Sequence, residues 1–130
     1  MSQTSGRTIG AWSLRLDAIY CALLGAGVAL TAGPIAAVVA LPQPLIATVG
    51  VAVVLWAGLV LWMLKKMQLR GALRMVLGVN VLAAVLIAVC AAAAAHLLGV
   101  VAILTIAVDV AFFAVSQAVA LRRIPVAAAA

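Results

Sequence analysis

Apolar residues fall in four long blocks along this chain, and most polar residues sit in the gaps between them. The blocks cover about 14–32, 44–64 ("PLIATVGVAVVLWAGLVLWML"), 72–95 and 98–121. A helix needs about 20 apolar residues, rising about 1.5 Å each, to cross a hydrocarbon core. Each block is long enough. Backbone donors and acceptors in lipid must be satisfied by helices or a closed barrel. Continuous apolar runs of this length predict helices.

The breaks between blocks have physical causes. Gly33-Pro34 and "LPQP" at 41–44 interrupt the first apolar stretch. Proline lacks a backbone donor and clashes one turn back, so a helix rarely passes it undisturbed. Pro44 suits the first turn of the second helix. "KKMQLR" at 65–70 ends the second block, and His96 and Gly99 bracket a tight turn. Residues 34–41, "PIAAVVAL", are apolar but too short to span. A kinked extension of the first helix or a short separate helix is expected there. Short connections make successive helices antiparallel neighbours. The expected fold class is all-α: a polytopic membrane protein with an antiparallel four-transmembrane-helix bundle. The expected organisation is an N-terminal tail (1–13), one transmembrane domain (14–121) and a C-terminal tail (122–130).

Composition strengthens this reading. Of 130 residues, 70% are hydrophobic and only 8% charged, with mean hydropathy +1.43. Soluble domains are usually about 45–50% apolar and about 25% charged. So few charges cannot cover a water-facing surface. The net charge of +6 arises from short basic clusters beside the apolar blocks, without interleaved aromatics. Nucleic acid is therefore not an expected partner; a bilayer with anionic head groups is. Arg7 and Arg15 precede or open the first span. Lys65, Lys66, Arg70 and Arg74 flank the second connection, and Arg122 and Arg123 follow the fourth span. With four spans, every basic residue falls on one side. Positive residues stay cytoplasmic, so both termini are expected there, in a bacterial inner membrane. No cleavable signal peptide is expected. The run after residue 13 is too long for a signal core, and "AIYC" puts Tyr20 where a lipoprotein site needs a small residue.

Few polar residues lie inside the blocks. Asp109, in "AVDVAFF", is one of two acidic residues and sits near the middle of the fourth. A carboxylate there is costly in lipid, by about 2.5 to 3.5 kcal/mol on insertion scales. It should face the bundle or an oligomer interface. Thr105, Ser116 and Gln117 extend its helical stripe. Asn80 on the third span is the expected partner of Asp109. Either the pair pins helix register, or Asp109 is a protonatable site for ion or substrate coupling, or it meets a partner subunit. Asp17 reads as an interfacial carboxylate, paired with Arg74, Arg122 or Arg123 to fix helix order. Gly25, Ala29 and Gly33, spaced by four, offer a face for close helix packing. Trp12 and Trp62 suit the interface, and Trp56 suits packing. Cys21 and Cys90 lie at different depths and read as free thiols. No metal-ligand spacing, phosphate-binding loop or catalytic triad occurs, so no metal, cofactor or enzymatic activity is expected.

"LRLDAIYCALLG" leading into "AGPIAA", then "LPQPL" and "LGVNVL", resembles small four-span bacterial integral membrane proteins without an assigned chemistry; DoxX-like proteins are similar in architecture. Small multidrug transporters have this size, but they carry an essential Glu in the first span, whereas the deep carboxylate here is on the fourth. Fold likeness alone does not set function. The expectation is a non-enzymatic accessory or structural component of a membrane assembly. The alternative is a small proton-coupled transporter or permeability factor, working as a homo-oligomer with Asp109 as the protonatable group.

Overall fold

The structure, a computed structural model, describes residues 2–94 and 96–125. Among the described residues five α-helices run in order: α1 (Ser2–Leu30), α2 (Ala32–Val38), α3 (Gln43–Lys66), α4 (Leu69–Cys90) and α5 (Leu97–Arg123). A 3-10 turn, Ala91–Ala93, extends α4. Among the described residues four helices are long and apolar enough to cross a membrane: Ser5–Leu30, Gln43–Lys66, Leu69–Ala93 and Leu97–Arg123. The protein is thus an all-α, multi-pass four-helix bundle, as its hydropathy predicts.

Local chemistry sets the helix ends. In a continuous helix the residue at position 34 would donate to the Leu30 carbonyl, and Pro34 has no donor. α1 therefore stops at Leu30, and α2 is a short separate helix. Thr31 turns the chain between them, its hydroxyl bonded to the Gly27 carbonyl at 2.6 Å. Pro44 stands in the first turn of α3, where a missing donor costs nothing. Lys65 and Lys66 end α3 and Arg122 and Arg123 end α5, where cations complement the helix dipole.

The first helix departs from expectation. Residues 5–13, which read as part of a tail, continue α1 toward Ser2. The buried stripe of α1 is Gly6, Gly10, Ser13, Leu14, Asp17, Ala18, Cys21 and Gly25, while Leu16, Ile19 and Leu23 are exposed. Apart from Leu14, the inward side chains are small or polar, and large apolar ones such as Leu16, Ile19 and Leu23 face outward. This suits lipid, where apolar burial alone gives no drive and close backbone approach does. A Cβ at Gly6 would lie 2.8 Å from the Arg123 Cβ, and one at Gly10 would lie 2.8 Å from the Leu73 side chain.

α3 packs along α1, α4 along α5, and α1 against α5. The closest crossing is α1 on α3: a Cβ at Gly25 would lie 2.6 Å from the Gly50 carbonyl oxygen, and one at Gly50 would lie 2.6 Å from the Ala29 nitrogen. Gly25 and Ala29 form the expected close face; Gly33 belongs to α2 and lies beside Gln43 instead. The buried core lies toward the basic end, among Leu14, Ala18, Val60, Met63, Leu73, Val76 and Ala120. Trp56 packs against it, whereas Trp12 and Trp62 are exposed. At that end the Arg70 guanidinium donates to the Leu121 and Ile124 carbonyls, at 3.0 and 2.5 Å, closing the C-terminus of α5. At the other end Ala40 donates to the Ala93 carbonyl at 2.9 Å, tying the α2–α3 connection to the turn after α4.

Candidate functional site

Two polar sites occupy the middle of the bundle, each around one carboxylate. The first is enclosed. Asp17 lies at the midpoint of the Ser5–Leu30 span and is 2% exposed. Asn80 donates to its Oδ2 at 2.5 Å and Gln117 Nε2 donates to the same oxygen at 2.9 Å. The Asn80 amide has a second proton, which it donates to Gln117 Oε1 at 3.2 Å. Cys21, one turn along α1, donates its thiol to Oδ1 at 3.4 Å. Asp17, Asn80 and Gln117 thus close a hydrogen-bonded ring that joins α1, α4 and α5. A buried carboxylate is tolerated only when such donors replace water.

This arrangement corrects two expectations. Asp17 is not an interfacial ion-pair residue. Its partners are two amides and a thiol, while Arg74 and Arg122 are exposed. The extension of α1 toward Ser2 is the reason, because it moves Asp17 from the edge of a span to its centre. Asn80 does not pair with Asp109 either, because helix rotation turns it toward Asp17 and Gln117.

The second site is open. Asp109 lies one residue before the middle of α5 and is half-buried. The Tyr20 hydroxyl donates to its Oδ2 at 2.9 Å, and among the described residues Asp109 has no other hydrogen-bond partner. Tyr20 also meets Phe113, with ring centroids 5.5 Å apart and planes tilted by 56°. Tyr20, Asp109, Phe112, Phe113 and Ser116 line a groove of about 490 Å³ between α1 and α5. Phe112 is 69% exposed, so the groove opens on the outer surface. Ser116 donates to the Phe113 carbonyl at 2.8 Å. With that proton committed, Ser13 is the donor in the 2.6 Å Ser13–Ser116 contact.

Helical phase explains the division. Asp109, Phe113 and Ser116 share one face of α5 and meet Ser13 and Tyr20, which lie seven residues apart on α1. Gln117 is turned about 100° further and reaches the enclosed ring. The expected stripe is therefore split: Asp109 and Ser116 line the groove, and Gln117 and Asn80 hold Asp17. Thr105 joins neither site; it is exposed and bonds its own helix at the Val101 carbonyl, at 2.8 Å. Tyr20, Phe112, Phe113, Ser13 and Cys21 are not among the expected site residues. The "FF" three and four residues after Asp109, one helical turn on, and the Ser13–Tyr20 spacing are the signals that could have found them. Both cysteines are free, Cys21 buried and Cys90 exposed. Among the described residues no group of three or more His, Cys, Asp or Glu side chains is arranged to hold a metal ion. No protein-family model matches the chain, no curated protein matches its sequence, and no solved structure matches it.

Proposed function

We propose that this protein is a small non-enzymatic component of a larger membrane assembly, held in a bacterial inner membrane with both termini cytoplasmic and its basic end against anionic head groups. The observation that carries the reading is an open side of the bundle. α3 and α4 follow each other through a two-residue connection, yet they touch at few points. From Val81 to Cys90 no residue of α4 is buried. Leu82, Val85, Leu86 and Val89 are each more than half exposed. This apolar strip beside the incomplete α3–α4 contact is a seat for a transmembrane helix of another protein.

The test is the mass of the protein extracted from its native membrane in mild detergent. The expected result is a discrete complex with a second protein at fixed ratio. Leu82→Trp with Leu86→Trp should release that protein without lowering the melting temperature of the chain itself. A chain that extracts alone, or a complex indifferent to both substitutions, overturns the reading. A second reading, proton-coupled transport, is favoured by the accessibility of Asp109 in its groove.

A further inference from the structure

We infer that the groove between α1 and α5 is a binding site for a lipophilic organic cation that carries no N–H donors, such as a quaternary phosphonium or ammonium. The inference goes beyond both readings above, because such a site would exist whether the chain acts alone or in an assembly.

Charge is the first argument. Asp109 lies mid-span, with Oδ2 bonded to Tyr20 and Oδ1 without a hydrogen-bond partner among the described residues. Among the described residues no Lys, Arg or His lines the groove. Arg15 is the basic residue nearest in sequence to Tyr20, but five residues turn it about 140° away on α1. Its guanidinium lies over Trp12, 5.6 Å from the ring centroid. The basic residues of α3, α4 and α5 lie at or near the basic end of those helices.

Ring chemistry is the second. Tyr20, Phe112 and Phe113 line the groove beside the carboxylate. Aromatic faces attract cations, most strongly where water is excluded. Acceptor count is the third. A primary ammonium or guanidinium has three to five donors to satisfy; beside the Asp109 carboxylate the groove lining offers it the Tyr20 and Ser116 hydroxyl oxygens, both already engaged in hydrogen bonds. A hard metal ion needs about six oxygens. A quaternary cation needs none. Access agrees: the groove opens on the apolar surface, where a lipophilic cation would arrive from the bilayer.

The experiment measures binding of tetraphenylphosphonium to the full chain in neutral-lipid nanodiscs, with empty nanodiscs subtracted. Tetraphenylborate, its anionic counterpart of similar shape, is measured in parallel. Saturable phosphonium binding at one site per chain is expected, with none for the borate. In Asp109→Asn the affinity should fall at least about tenfold, because the one carboxylate facing the cation is gone. Asp109→Glu should retain binding, and Phe112→Ala should weaken it several-fold through loss of a ring face. Thermal melting of each variant controls for folding. The inference is overturned if wild type and Asp109→Asn bind the phosphonium equally, if the borate binds as well, or if no binding saturates. None of these outcomes bears on the α4 assembly, whose substitutions lie elsewhere.

Discussion

Replacing Asp17 with Ala should destabilise the folded bundle by about 2–5 kcal/mol, because two buried amides and a thiol lose their acceptor together and each unsatisfied buried group costs about 1–3 kcal/mol. The low end takes account of membrane interiors, where single interhelical hydrogen bonds average about 0.6 kcal/mol. Reversible unfolding by a denaturing detergent in mixed micelles would measure the loss. Asp17→Asn keeps an acceptor and should lose less. The sharper result comes from combination. Asp17→Leu, Asn80→Leu and Gln117→Leu together remove both amides with the carboxylate and leave only the weakly donating Cys21 thiol without its acceptor, and replacing a buried polar network by apolar side chains is often neutral or stabilising. The triple variant should therefore be more stable than Asp17→Leu alone. Simple addition of the three single losses would show that no closed ring exists.

Gly50→Leu should disrupt the bundle even more. Ala at this position already sets its Cβ 2.6 Å from the Ala29 nitrogen and 2.7 Å from the Gly25 carbonyl oxygen. Those atoms are backbone and cannot rotate aside, so α1 and α3 must separate. Overpacking a tight contact costs about 1–3 kcal/mol; Gly50→Ala should fall in that range and Gly50→Leu beyond it. At Gly58, on the same helix, a Cβ would meet nothing within 4 Å. Gly58→Leu should leave the unfolding midpoint near that of the wild type. The pair of variants separates a packing effect from a general effect of side-chain size, and equal losses at both glycines would refute the close α1–α3 crossing.

The two effects share a cause. Helices in lipid gain little from apolar burial, so the contacts that join them are close backbone approaches and hydrogen bonds. All three long-helix partners of α1 use this logic: α3 through Gly25 and Gly50, α5 through Ser13 and Ser116, and α4 through Gly10 and the Asn80–Asp17 bond. The remaining acidic residue at mid-span, Asp109, is bonded to one hydroxyl and left open to the outside. That contrast with Asp17 singles it out as the carboxylate available to a ligand.

Four helices, their breaks at Pro34 and Pro42–Pro44 and the gathering of the basic residues of α3, α4 and α5 at one end were legible from residue order alone; Arg15, expected at the edge of the first span, lies inside Ser5–Leu30, two residues from Asp17. Hydropathy, missing proline donors and charge are local properties, and a helix in lipid must satisfy its backbone within itself. The start of α1 was not legible, because Ser, Gly, Thr and Arg over residues 2–13 resemble a solvated tail. They form a helix because Gly6 and Gly10 lie flush against α5 and α4, which no sequence window can register. The roles of the two carboxylates were likewise decided only by tertiary structure. Spacing put Asp109 at mid-span, where the structure has it, but depth does not determine rotation. By depth alone, Asn80 could have met either acid. Packing of α1 between α3 and α5 turned Asp17 toward Asn80 and Gln117 and left Asp109 facing Tyr20 and the groove. Helix existence follows from each segment's own chemistry; helix rotation and register follow from the faces that the other helices leave free.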